Sequence, residues 1–237
     1  MKYLFYSFFT LNTCVLFSQN IGSNGVKSDS RISDLFELIK NRIDKNSNTN
    51  SKVKGSEYFD DKFKSADVRY FGKDLNQNIF LRYNAYKDEI EFTNNPKAVS
   101  SDKILMKHTN ISCQIESNKY NYVNYVDEKN IKQKGYLVEL FLGTKYKFCE
   151  KRMKIFMEGS EAKTSLERSF PPRYVKRFKY FISINNSIFK EIRLNKKSII
   201  NILDEEPGLL KKIIKEKKLK FKKPSDIIEV LVEINKN

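Results

Sequence analysis

The sequence predicts an α+β fold: an antiparallel β-meander, curled or partly closed, followed by a C-terminal pair of helices. Three observations carry that expectation. Residues 57–194 break into short runs rich in Val, Ile, Tyr and Phe, alternating with period two and separated by polar turns. These runs follow one another too closely to leave room for crossover helices, so neighbouring strands must run antiparallel. From residue 195 onward the apolar period becomes helical, and prolines at 207 and 224 sit where helices begin.

Taken in order, the chain opens on "MKYLFYSFFTLNTCVLFSQN", one lysine and then a fifteen-residue apolar stretch from Tyr3 to Phe17. That pattern is a secretory signal peptide, too short to remain as a spanning anchor. Cleavage is expected near residues 18–22, so residues 1–19, Cys14 included, leave with the signal. The mature protein is then expected in the periplasm or cell envelope. Residues 20–56 hold "SDLFELIKNRIDK", with Leu35, Phe36, Leu38, Ile39 and Ile43 on one helical face and Ser33 as N-cap, and then polar "NSNTNSKVKGS". They read as a short helix and a flexible linker.

The β domain is expected over residues 57–194. In "NIFLRYNA", Ile79, Leu81 and Tyr83 alternate with Phe80, Arg82 and Asn84; in "KYNYVNYV", Tyr120 and Tyr122 alternate with Val123 and Tyr125. "GYLVELFLG" is bounded by Gly135 and Gly143, and "KYFISINNSIFKEIRL" turns at Asn185-Asn186. In residues 195–237, Asn195 caps a stretch with Ile199, Ile200 and Leu203 on one face, Pro207 starts a helix that runs toward Lys211–Lys218, and Pro224 starts another. These helices are expected to pack on the sheet.

Little here points to catalysis, and no cofactor is implied. The lone histidine, His108, neither builds a typical zinc site nor completes a triad. Glu89 and Glu91 share a strand face at about 6 to 7 Å, within the span two hydrolytic carboxylates use. No tryptophan exists to stack a sugar beside them. A carboxylate-dependent hydrolase is the weaker alternative. Cys113 and Cys149 are left open between a disulfide and two separate core thiols.

A net charge of +16 favours acidic partners, although a codon bias toward Lys, Asn and Ile accounts for much of it. Two stretches concentrate the charge. "PPRYVKRFKYF" interleaves Arg173, Lys176, Arg177 and Lys179 with Tyr174, Phe178 and Tyr180, a composition that grips anions and stacks rings. "KKIIKEKKLKFKK" from Lys211 to Lys223 suits an anionic surface. The candidate binding residues are therefore Arg173, Tyr174, Lys176, Arg177 and Lys179. The partner is open between another envelope protein, an anionic polymer and a membrane surface, with nucleic acid disfavoured by export.

"LRYNAYKDEIEF" at 81–92, "KGYLVELFLGTKYKF" at 134–148, "KYFISIN" at 179–185 and the lysine-rich tail at 195–235 resemble a group of exported proteins from Bacteroidetes of the flavobacterial type. The likeness spans about residues 57–237 and rests chiefly on the 81–92 segment. It implies a compartment and an architecture and carries no activity. "EKRMKIFMEGSEAKTSLERSFPP", residues 150–172, departs from the pattern and leaves the central strand order open. Within 81–92 a strand, a bend near Lys87-Asp88 and a second strand are expected, making Arg82, Tyr83, Asp88 and Glu91 structural candidates. A buried Arg82–carboxylate pair would then lock the register. The expected function is a non-enzymatic binding or structural module of the envelope, or a polyanion or membrane-surface binder working through its basic-aromatic patches.

Overall fold

Tyrosine and valine alternate along residues 118–126, and both faces of that strand are used. The computed structural model describes residues 36–37, 53–101, 103–164, 166–203, 205 and 207–236. In chain order these form β1 (Phe36–Glu37), β2 (Lys64–Tyr70), β3 (Lys73–Asn84), β4 (Glu89–Thr93), β5 (Ile104–Leu105), β6 (Ile111–Ile115) and β7 (Asn118–Val126). There follow β8 (Lys132–Leu142), β9 (Tyr146–Met157), β10 (Arg173–Ile184), β11 (Phe189–Ile192), α1 (Lys196–Ile202), α2 (Pro207–Glu216) and α3 (Pro224–Ile234). Eleven strands join one sheet in the order β1-β5-β4-β3-β2-β6-β7-β11-β10-β9-β8, and β7 also pairs with β8. The fold is α+β, as expected.

Tight turns set the hairpins. Asn185 and Asn186 both have positive φ, 50° and 58°, the two-residue turn that matches strand twist, and they join β10 to β11 as expected. Asp88, at φ 56°, closes the β3–β4 turn where the bend was expected.

Three apolar clusters follow from the alternation. Ile79, Leu81 and Tyr83 of β3 face a core shared with Ile90, Phe92, Ile111, Cys113, Tyr120 and Tyr136. The opposite face of β7 gives Tyr125 and Val123 to a second core with Leu137, Cys149, Phe181 and Phe189. The helices close a third: Ile199, Leu203, Leu210, Ile213, Ile227 and Leu231 cover Phe148 and Ile182 of the sheet. Each fully buried Leu, Ile or Phe is worth roughly 1.5–3 kcal/mol.

Several expectations are corrected. Among the named strands one pairing is parallel: Phe189 and Lys190 of β11 lie beside Tyr125 and Val126 of β7. The β10–β11 turn fixes the direction of β11, and its second edge then meets β7 running the same way. The tail holds three helices rather than two, because the backbone turns extended at Leu203, before Pro207. Asn195 does cap α1, accepting from Ser198 N at 2.8 Å. Phe36–Glu37, inside the stretch expected to be helical, pairs antiparallel with Ile104–Leu105, whose free edge offers backbone partners. The stretch expected to be a signal peptide and the rest of the expected helix and linker, apart from residues 53–56, lie outside the described residues. Cys113 and Cys149 are free thiols in different cores, and burial pushes the Cys149 thiol up to about 12.

Candidate functional site

The four structural candidates form two polar clusters at the β3–β4 hairpin, one buried around Arg82 and Glu91 and one half-buried around Tyr83 and Asp88. Arg82 and Glu91 are cross-strand partners, and Arg82 Nη2 donates to Glu91 Oε2 at 2.7 Å with both side chains buried. The guanidinium lies over Tyr58 at 3.6 Å and Phe63 at 4.2 Å, and its Nη1 donates to the carbonyls of Asp61 and Val99. Tyr58 Oη donates to Glu91 Oε1 at 3.2 Å. On the other side of the hairpin, Asp88 accepts from Tyr83 Oη at 2.6 Å, from Lys151 Nζ at 2.8 Å and from Tyr136 N at 3.3 Å. Gly135 makes room for that ion pair: a Cβ there would press on both Asp88 Oδ2 and Lys151 Nζ. Burial, then the Asp88 carboxylate, holds the Tyr83 phenol well above its usual range.

With Glu91 enclosed by Arg82 and Tyr58, the two acids of the hydrolase alternative are not presented together. Glu89 instead pairs with Lys107 at 3.5 Å. His108 belongs to a turn, its Nδ1 accepting from Asn110 N at 3.0 Å. Among the described residues, no three His, Cys, Asp or Glu side chains are grouped to hold a metal ion.

The five binding candidates lie on β10, which pairs with β9 along its full length from Arg173–Met157 to Ile184–Tyr146. The body strands stop short of this ribbon. β8 meets β9 only up to Glu150, and β11 meets β10 only from Tyr180. Residues 151–157 and 173–179 thus extend past them, braced by the hairpin tip through Lys154 N to Ala85 O and by Lys54 bridging Arg173. Strand alternation divides the candidates. Tyr174 and Lys176 share one face; Arg173, Arg177 and Lys179 share the other, where Lys179 pairs with Glu191 at 2.9 Å.

The first face is the richer one, because β9 and a strap at residues 54–59 complete it. Register places Phe156 across from Tyr174, Lys154 across from Lys176, and Arg152 across from Phe178. Tyr174 touches Tyr86 and Phe156 edge-on, with ring centroids at 5.5 and 5.2 Å. Phe59 meets Phe178 at 6.0 Å and lies under both Arg152 and Lys176, each 4.4 Å from its centroid. Arg152 is committed to Glu150, Tyr120 and Asn118. Lys154 and Lys176 have no carboxylate within salt-bridge distance among the described residues. Burial first, and then the charge of Lys176, lowers the Lys154 ammonium below the usual lysine range. Lys154, Phe156, Phe59 and Tyr86 were absent from the sequence expectation. The alternation of Arg152, Lys154 and Phe156 was the available signal, but it acquires meaning only once β9 is known to pair with β10.

The chain matches no family model, no curated protein and no solved structure. What can be said of its use rests on its own residues.

Proposed function

We propose that the protein is a non-enzymatic binding module, exported to the cell envelope, that grips an anionic polymer along the aromatic and cationic face of the β9–β10 ribbon. The observation that carries this reading is the cross-strand pair Lys154–Lys176, two like charges directly opposite, neither with a carboxylate within salt-bridge distance among the described residues, Asp61 and Asp60 offsetting the repulsion only from farther away. Such a pair destabilises a sheet, and an anion seated between the two ammonium groups removes the penalty. Rings flank the pair on both sides, and Tyr174 to Phe178 spans about 13 Å of strand. That length suits successive units of a chain better than a single small ion. Export is supported by the apolar stretch from Tyr3 to Phe17.

The finer architecture belongs to the same proposal. Pairings run from β7 through β8, β9, β10 and β11 and return to β7. We read this as a curled, partly closed meander, a stiff base for the ribbon.

Heparin chromatography tests the binding. The wild type is expected to be retained, with elution moving steeply with salt as counterions compete. Lys154→Met/Lys176→Met should elute early, while Lys129→Met/Lys132→Met, with the same net charge and both sites exposed, should behave as wild type. Wild-type elution at low salt, or equal loss in both double variants, overturns the reading.

A further inference from the structure

A second cationic surface lies in the helical tail, on residues the ribbon does not use. α2 ends in a tight turn in which Leu219 N donates to Ile214 O at 3.1 Å and Lys218 N donates to Lys215 O at 3.3 Å. This closure places residue 218 in the left-handed region, where glycine is the usual occupant. Here it is lysine, at φ 52°, and three residues on Phe221 repeats the conformation at φ 53°. Phe221 is buried among the helices and pins the turn to the core. Lys222 N donates to Asp226 Oδ2 at 3.2 Å and fixes the approach to α3.

The pinned turn surrounds a depression of about 400 Å³ lined by Lys217, Lys218, Lys220, Lys222 and Lys223, with Asp226 and Glu229 at its acidic side. Only Lys217 has a carboxylate partner, Glu233 at 3.2 Å. The other four lysines have none within salt-bridge distance among the described residues. A turn whose sole task was to join two helices would be cheaper with glycine at 218 and with fewer mutually repelling ammonium groups. All five lysines are exposed, and the anchored backbone sets them around one depression.

We propose that the 217–223 turn is a binding site for a phosphate group, carried either by a free phosphate compound or by a lipid head group. A tetrahedral dianion offers several oxygens at once, and ammonium groups on flexible stems meet them as point charges. The site is independent of the ribbon, and failure of either leaves the other standing.

The test uses the full-length protein with two probes: inorganic pyrophosphate by titration calorimetry, and phosphatidylglycerol vesicles by co-sedimentation. Saturable binding of pyrophosphate alone identifies a free phosphate ligand. Vesicle binding identifies a lipid surface. In either case Lys220→Glu/Lys222→Glu should weaken binding roughly tenfold or more, Lys129→Glu/Lys132→Glu should not, and Lys154→Met/Lys176→Met should leave it unchanged. A second variant guards against loss of fold: Lys218→Gly should raise the urea midpoint while weakening binding. Absence of binding to both probes, or equal loss in the Lys129/Lys132 control, overturns the proposal.

Discussion

On the β3–β4 hairpin Arg82 lies across from Glu91; on the β9–β10 ribbon Lys176 lies across from Lys154. Both are cross-strand charge pairs in antiparallel register, but their surroundings differ. The hairpin pair is buried and of opposite sign, and its neighbours Tyr58, Asp61 and Val99 take up further hydrogen bonds. The ribbon pair is of like sign; Phe59 lies under Lys176, and Asp61 and Asp60 act on Lys154 only from beyond salt-bridge distance. Sheet physics favours the first arrangement and opposes the second. The hairpin charges therefore serve the fold, whereas the ribbon pair works against it, and the proposed anion binding would account for that difference.

The largest effects should come from breaking the hairpin side. Glu91→Ala strands the Arg82 guanidinium in the core and should cost about 3–5 kcal/mol, whereas Arg82→Met/Glu91→Leu together should cost far less. Urea denaturation of the single and double variants measures the difference. Equal losses in the two would mean that the pair does not act as a unit. Heparin retention per folded molecule should stay unchanged in both.

Alkaline pH should act on the buried phenols of β7, Tyr120 in the core shared with the hairpin and Tyr125 in the second core. Burial holds the Tyr120 and Tyr125 phenols up at about 12, against about 10 for an unfolded tyrosine. A raised folded pKa gives stability that is complete below pH of about 10 and is lost as pH climbs toward the folded value. For buried Tyr120 alone this amounts to about 2–3 kcal/mol. Stability followed by urea titration should fall across that window, with tyrosinate absorbance of the core phenols rising only as the protein unfolds. Absorbance that rises fully before unfolding would show the phenols to be open to water.

Gly135→Ala is expected to be milder, about 1–3 kcal/mol for an overpacked site, because the atoms it crowds are the ends of the Asp88 and Lys151 side chains. A Gly135→Ala variant with the urea midpoint of the wild type would show that the Asp88 and Lys151 side chains swing aside and that the close approach does not require glycine.

The contrast between the two pairs also explains what the sequence could disclose. Arg82 and Glu91 are nine residues apart around one turn, so local alternation brings them together and the register lock was foreseeable. Lys154 and Lys176 are separated by the whole 158–172 connection, and nothing local states how far the strands slide before pairing. The same distance hid Phe59, which reaches the ribbon from a strap ahead of β2. β7 was legible as a strand, since Tyr120 and Tyr122 alternate with Val123 and Tyr125. That each face sends a tyrosine into a different core, Tyr120 on one side and Tyr125 on the other, depends on β11 returning to its edge, a long-range event. At Phe36–Glu37 an apolar helical period lost to edge pairing with β5, because a free strand edge satisfies backbone groups that local propensity does not weigh.

The smallest effect is the most telling for the ribbon. Lys154→Met keeps the buried stem of the side chain and removes the charge that faces Lys176. Because its ammonium is lowered below the usual lysine range, the folded state binds that proton less readily than the unfolded chain does. The charged form therefore costs stability at neutral pH, and the cost fades as pH rises through the lowered value toward about 10.4. Lys154→Met should gain a few tenths of a kcal/mol, up to about 1, with the gain shrinking as salt screens the pair. Heparin retention should fall at the same time. A substitution that stabilises the fold while weakening its binding marks a residue kept for a ligand; a loss of stability instead would place Lys154 with Arg82, among the charges that hold the sheet together.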